Sequence, residues 1–127
     1  MEDATFGNAM IIEDERDLCY LLAIVLRQNN VTSSCAHSIG EARKTIKKIN
    51  PSIIFLDNHL PDGSGSDFIG QAKKLNPKAK IVMITAHDSA AEIDAAFSKG
   101  ADYFISKPFN SSAIKTTIDF LSSRRKG

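Results

Sequence analysis

Residues 53–65 read Ile53-Ile54-Phe55-Leu56-Asp57-Asn58-His59-Leu60-Pro61-Asp62-Gly63-Ser64-Gly65. Four consecutive apolar side chains end abruptly in an acid. Successive side chains of a strand point to opposite faces, so an apolar run without polar alternation is a strand buried on both faces. The Pro-Asp-Gly-Ser-Gly segment that follows interrupts regular structure. Such a strand belongs in a parallel sheet covered by helices on each side, and its carboxyl end delivers Asp57 to a loop.

Similar short runs lie on either side: Ala9 to Ile12, a weaker one from Val31 to Ala36, Ile81 to Ile84, and Tyr103 to Ile105. Between them the apolar residues recur at helical spacing. The stripes are Leu18, Leu21, Leu22, Val25 and Leu26; Ile39, Ala42, Ile46 and Ile49; Phe68, Ile69, Ala72 and Leu75; Ile93, Ala96 and Phe97; and Ile114, Ile118 and Leu121. Ser38 with Glu41, and Ser89 with Glu92, have the spacing of capping boxes, the serine taking an orphan N–H and the glutamate reaching back. Asn110 suits the cap of the last helix. Asn50-Pro51 and Asn76-Pro77 stop the second and third helices, and Gly100 the fourth. The expected fold is an α/β chain of five strand–helix units. It forms an open parallel sheet with helices on both faces.

The whole chain has 127 residues, with 43% hydrophobic and 24% charged, which fits one globular domain. The 16 basic residues against 15 acidic leave a net charge of +1. That balance speaks against binding nucleic acid through bulk charge and against a polybasic membrane surface. No apolar run approaches the ~18–20 residues of a membrane span. Met1 to Phe6 lacks the plan of a signal peptide, so the expected location is the cytoplasm. Cys19 and Cys35 lack the spacing of a redox pair and read as small buried hydrophobes.

Ligands of open parallel sheets bind beyond the carboxyl ends of the strands. There the first strand ends in Glu13-Asp14, the third in Asp57, the fourth in Thr85-Ala86 and the fifth in Lys107-Pro108. Each has a plain structural reading: Asp14 as a helix cap, Thr85 as a turn residue, Lys107 as a solvated lysine. Together they place three acids, a hydroxyl and a lysine on one rim. Two like charges ~4 Å apart cost about 4 kcal/mol at an effective dielectric near 20. Lys107 offsets one acid, and a hard, oxygen-ligated cation such as Mg²⁺ suits the rest.

In this order and spacing the motifs Ile11-Ile12-Glu13-Asp14-Glu15, Ile53 to Gly65, Val82-Met83-Ile84-Thr85-Ala86 and Lys107-Pro108-Phe109 resemble the receiver domain of two-component response regulators, from about Asn8 to Ser122. The resemblance implies a flavodoxin-like sheet of order 2-1-3-4-5. It implies that Asp57 accepts a phosphoryl group from a sensor histidine kinase or phosphotransfer protein. Mg²⁺ would be held by Asp14 directly, by Glu13 through water, by Asp57 and by the backbone carbonyl of His59. Thr85 and Lys107 would bind phosphoryl oxygens, with Lys107-Pro108 as a cis peptide. Phosphorylation would draw Thr85 inward and rebuild the face of the fourth helix, fifth strand and fifth helix. A downstream output domain or protein, or a phosphorylation-dependent homodimer, would read that face. The chain is then a signalling domain, not an enzyme on other substrates.

Three positions depart from the family pattern. The switch aromatic, often tyrosine, is Phe104, whose inward state would rest on packing alone unless it is simply core. In the family the positions of His59 and His87 flank the path of attacking water, so the two would tune phosphoryl lifetime, with pH dependence because histidine titrates near pH 6.5, unless they are exposed side chains with no kinetic role. The first acid is Glu13 rather than aspartate.

An aspartyl phosphatase of the haloacid-dehalogenase type would need a second acid where His59 stands. A flavodoxin-like cofactor binder would need a glycine-rich loop where Glu13-Asp14-Glu15 stands. A degenerate receiver would lack one of Asp14, Asp57, Thr85 or Lys107. The expected organisation is a tail over 1–7, the receiver over 8–123, and 124–127 as a tail or the start of a linker.

Overall fold

A computed structural model describes residues 6–126, with side chains described through Ser123. The expected 1–7 tail therefore lies mostly outside the described residues. Its described part, Phe6 and Gly7, meets the fold: Phe6 is buried in the core and Gly7 O accepts a hydrogen bond from Thr32 N–H.

The strands are β1 (Asn8–Ile12), β2 (Thr32–Ala36), β3 (Ile53–Leu56), β4 (His59–Leu60), β5 (Gly63–Ser64), β6 (Lys80–Thr85) and β7 (Tyr103–Ser106). The helices are α1 (Arg16–Gln28), α2 (Ile39–Ile49), α3 (Gly65–Leu75), α4 (Ala90–Ser98) and α5 (Ser111–Lys126). Five strands form one parallel sheet of order β2-β1-β3-β6-β7. This is the expected order once the antiparallel ribbon of β4 and β5 is set aside.

The parity of the strands divides the core into two layers. Met10, Ile12, Ile54, Leu56, Ile81 and Met83 pack with α2, α3 and Ala96 of α4. Ala9, Ile11, Ile53, Phe55, Val82 and Ile84 pack with α1 and α5. Each fully buried aliphatic or aromatic side chain contributes about 1.5–3 kcal/mol relative to exposure. The two layers explain why the three central strands read as unbroken apolar runs.

The helix signals hold with local differences. Ser38 and Ser89 accept from Glu41 N–H and Glu92 N–H at 3.0 and 3.2 Å, and Asn110 accepts from Ala113 N–H at 2.8 Å. The reciprocal glutamate bonds go elsewhere. Glu41 accepts from His37 N–H, and Glu92 accepts from the Asn58 side chain. Helices α2 and α3 end before Asn50-Pro51 and Asn76-Pro77, and Gly100 takes φ +115° after α4.

Several expectations are corrected. The α1 stripe puts Cys19, Leu22 and Leu26 in the core and leaves Leu21 53% exposed. Cys35 is exposed rather than buried, because β2 is an edge strand with a mostly exposed face. Helix α5 continues past Ser123 to Lys126, so residues 124–126 extend it.

A cap missed in the sequence ties the Asp57 segment to α2. The Asp62 carboxylate accepts from Ile39 N–H and Gly40 N–H, both at 2.9 Å. These bonds, Gly40 first, hold its carboxyl below its ordinary 3.8. A depressed acid contributes stability that is present above its unfolded value and lost as pH falls through its folded value. Asp62→Ala is therefore expected to lower Tm by a few degrees at pH 7. An acid scan should show the gap begin to narrow as pH falls below 3.8 and close only below the depressed folded value. A gap that persists there would place the effect in packing rather than charge.

Candidate functional site

The carboxyl ends of β1, β3, β6 and β7 do converge. Glu13 and Asp57, just beyond β1 and β3, are 3% and 5% exposed, and Thr85 at the end of β6 is 1% exposed. The ladder fixes this convergence: Asp57 N–H donates to Ile12 O at 3.0 Å, and Lys107 N–H to Thr85 O at 3.0 Å. The Lys107-Pro108 peptide is cis.

Lys107 Nζ donates to Glu13 Oε1 at 2.7 Å and lies 3.5 Å from Asp57 Oδ2 and 4.0 Å from Glu15 Oε1. The other Glu13 oxygen accepts from Glu15 N–H at 3.1 Å. Burial lifts the Glu13 carboxyl above its ordinary range. Its bonds to Lys107 and Glu15 offset part of that rise, and the Asp57 charge adds to it. Burial alone would lower Lys107. The hydrogen bond to Glu13 and the charges of Asp57, Glu13 and Glu15 outweigh it, so the ammonium is held above its ordinary value. The two partners thus move up for opposite reasons, desolvation at the acid and attraction at the base. The pairing geometry supports the cationic lysine.

Carboxylate oxygens of Glu13, Asp14 and Asp57 lie within 4.8 Å of one another. This all-oxygen donor set fits a hard divalent cation and offers nothing to a soft one. Both Glu13 oxygens already have protein partners, whereas Asp14 is exposed. Among the described residues no hydrogen bond or ion pair to Asp14 is found, nor does it cap α1. Its position is that of an acid open to a metal from solvent.

Charge crowding predicts an inverse dependence on metal. Removing one unit charge ~4 Å from another in a water-like dielectric relieves about 1 kcal/mol. Without Mg²⁺, Asp14→Asn is expected to raise Tm by roughly 4 °C. With saturating Mg²⁺ the order should reverse. Thermal melts of both proteins, with chelator and with Mg²⁺, check this, and an unchanged Tm in chelator would mean the acids do not repel.

The segment after Asp57 is built around Asn58 and Gly65. Asn58 Oδ1 accepts from Ser64 O–H and Ser66 N–H, both at 2.9 Å, and Gly65 N–H donates to Asn58 O at 2.8 Å. A Cβ on Gly65 would fall 2.0 Å from Asp57 O, so only glycine lets the chain turn back this closely.

The residues opposite complete the rim. Thr85 Oγ1 accepts from His87 N–H at 3.2 Å, and the rings of His59 and His87 lie 3.6 Å apart, tilted by 31°. Phe104 is half-buried against the layer of α2 and α3. Its neighbour Tyr103 is also half-buried, on the opposite layer, with its ring 5.5 Å from Phe120. Neither ring is wholly core or wholly solvated. Reading from the sequence missed Glu15 as a partner of Lys107, and Asn58 and Asp62 as braces. The run of three acids was the signal for Glu15, and no local pattern marked the braces.

The family model described as the response regulator receiver domain matches residues 9–119. The response regulator protein PilR of Pseudomonas aeruginosa is 30% identical over 111 residues, which are 87% of this chain and 25% of PilR. The transcriptional regulatory protein CitB of Klebsiella pneumoniae is 31% identical over 88% of this chain and 49% of its own length. The chain thus spans about half or less of these relatives. Among solved structures, a CheY-like receiver domain protein from Methanospirillum hungatei superposes with TM-score 0.88 at 23% identity, covering 96% of this chain and 98% of its own. A response regulator from Burkholderia pseudomallei, solved with a phosphorylated aspartic acid, calcium ion and citrate, gives TM-score 0.84 at 28% identity, over 94% of this chain and 71% of its own. The beryllofluoride-activated NtrC4 receiver domain dimer gives 0.86 at 30%, over 93% and 98%.

Proposed function

The chain belongs to the response regulator receiver family, a signalling family, and on that premise we propose that Asp57 is its phosphoacceptor in a Mg²⁺-dependent transfer from a histidine kinase or phosphotransfer protein. The observation that carries the proposal is the setting of Asp57. It is a buried carboxylate with Lys107 Nζ 3.5 Å away and the oxygens of Glu13 and Asp14 within 4.8 Å.

An aspartate carboxylate is ionised at neutral pH and is a competent nucleophile toward phosphorus. One Asp57 oxygen forms the new P–O bond as the P–N bond of a phosphohistidine breaks, and the imidazole leaves with the bonding pair. Asp14 and Asp57, with Glu13 and the His59 carbonyl, would hold the metal, which supplies neutralisation of charge between carboxylate and phosphoryl oxygens. Lys107 faces the same group from just beyond β7 and neutralises a further oxygen. Thr85 Oγ1 accepts from His87 N–H and keeps its own proton to donate to a phosphoryl oxygen. His59 and His87 stand over this rim as a stacked pair, where they tune access of water to the acyl phosphate and so its lifetime.

The output follows from a shifted balance between two arrangements, driven only by the contacts that differ between them. Thr85 moves toward the phosphoryl group, and Phe104, half-buried beside it on β7, packs further inward. The face of α4, β7 and α5, where Phe97 and Phe120 are 45% and 43% exposed, presents the change to an output domain, an output protein or a second receiver. No described helix is long and apolar enough to cross a membrane, and we place the domain in the cytoplasm. We take 8–123 as the receiver unit, with 124–127 as a tail or the start of a linker.

Phosphodonor labelling of the intact chain with an acyl phosphate and Mg²⁺ tests the acceptor. A second experiment tests the switch. Phe104 lacks a hydroxyl, and one hydrogen bond contributes about 1 kcal/mol. Phe104→Tyr is expected to enlarge the thermal stabilisation by beryllofluoride and Mg²⁺ by roughly 4 °C. Equal stabilisation in the two proteins would show that packing alone sets the inward state.

A further inference from the structure

Beside the acid cluster lies a second group of ligating side chains with different chemistry. His59, His87 and Glu92 each offer a ligand atom, all within 4.8 Å of one another. The sequence treated the two histidines as modulators of water and Glu92 as a capping residue. Their geometry and donor set point further, and we propose that they form a cation site for a borderline transition ion such as Zn²⁺, separate from the acid site.

Two imidazoles and one carboxylate are a donor set suited to Zn²⁺, leaving a fourth position for water. Imidazole nitrogen is a poor partner for Mg²⁺ and a good one for Zn²⁺, Ni²⁺ or Cu²⁺. The two clusters thus divide cations by hardness. The backbones that carry the ligands are fixed without a metal. His59 pairs with Ser64 in the β4–β5 ribbon, and His87 N–H is bonded to Thr85. Glu92 N–H is bonded to Ser89 Oγ in the first turn of α4. Only side chains need to adjust. Four ligands at ~2.0–2.1 Å in a tetrahedron stand about 3.3 Å apart, so the gap to close is small. The stacked rings must fan open to aim their nitrogens at one point, and both histidines are exposed enough to rotate. Among the described residues Glu92 Oε1 is engaged only by Asn58 Nδ2 at 3.4 Å, a long bond that a metal can replace.

The site draws its ligands from β4, the loop after β6 and α4. An ion bound there would join the segment that follows Asp57 to the start of α4, across the rim. It does not require that Asp57 be phosphorylated.

The test is calorimetric titration of the intact chain with ZnCl₂ in buffer saturated with Mg²⁺. The expected result is one site per chain. His59→Ala or His87→Ala should each weaken it at least tenfold, Glu92→Gln severalfold, and the double histidine variant should abolish it. Asp14→Asn should leave it within twofold. Zinc should also shift the ring nitrogens of two histidines in NMR spectra of the unmodified chain and slow amide exchange over residues 86–92. This second readout does not depend on any variant folding. Equal zinc affinity in the parent and the double histidine variant would overturn the proposal. So would loss of zinc binding on removing Asp14, or on replacing Cys35 and His37, with His59 and His87 intact.

Discussion

Asp57→Asn will carry no phosphoryl group under conditions that add one to the parent chain, as read by intact mass after exposure to an acyl phosphate and Mg²⁺. The effect is all or nothing because the amide has no anionic oxygen to attack phosphorus. Glu13, the other buried acid of the rim, already has both oxygens committed, to Lys107 and to Glu15 N–H. The substitution keeps the volume of the side chain and removes one charge from a crowded cluster. The variant should therefore fold, with a Tm in chelator at or above that of the parent, so loss of labelling will not be loss of structure. Labelling that persists in the variant would move the acceptor to Asp14 or to a histidine of the rim and overturn the assignment of Asp57.

Gly65→Ala will be the most damaging small substitution in the segment. The added methyl would sit 2.0 Å from Asp57 O and 3.1 Å from Leu56 Cγ. The obstacle is backbone rather than the end of a flexible side chain, and the next residue is tied back to the same turn, Asn58 O accepting from Gly65 N–H. Either α3 withdraws from the sheet or the Asp57 carboxylate leaves its place. Overpacking of this kind costs about 3 kcal/mol at the upper end of its usual range, a large share of a domain stability of roughly 5–15 kcal/mol. Denaturant unfolding should show that loss. Any folded fraction should be labelled by phosphodonor far more slowly than the parent. Gly70→Ala is the control, since nothing lies within 4 Å of its would-be Cβ. Equal stability of the Gly65→Ala and Gly70→Ala proteins would show that the close approach relaxes freely.

The fold was most legible where burial was most complete. Strands β1, β3 and β6 are covered on both faces, so every residue except Asn8, Lys80 and Thr85 at their ends is apolar and the runs stood out. Strand β2 is an edge strand, and its Thr32-Ser33-Ser34-Cys35 carries little apolar signal. The same exposure explains why Cys35 was misread. Leu21 fitted the α1 stripe by spacing, but a helix face is narrower than the set of positions that spacing admits. The Tyr20, Leu21 and Ile24 side is exposed. The site was legible through one rule, polar residues at the ends of buried strands, which found Glu13, Asp57, Thr85 and Lys107. The braces at Asn58, Asp62 and Glu92 were not legible. Their partners are 8, 22 to 23 and 34 residues distant, and no local pattern encodes such separations.

The two sides of the rim are unequally secured. The side bearing Asp57 is moored through Asp62 to the start of α2 and through Asn58 to the ribbon and α3. The side bearing His87 is tied by its N–H to Thr85 at 3.2 Å and by the 3.4 Å contact between Asn58 and Glu92. In mechanical terms the domain is a vise with one fixed jaw. On the proposed function, a phosphoryl group at Asp57 would push against the more heavily bonded side toward α2 and α3 and move the less heavily bonded side toward α4. Asp62, which holds only the α2 side, and Asn58, which touches both sides, would then set how much of that movement reaches α4.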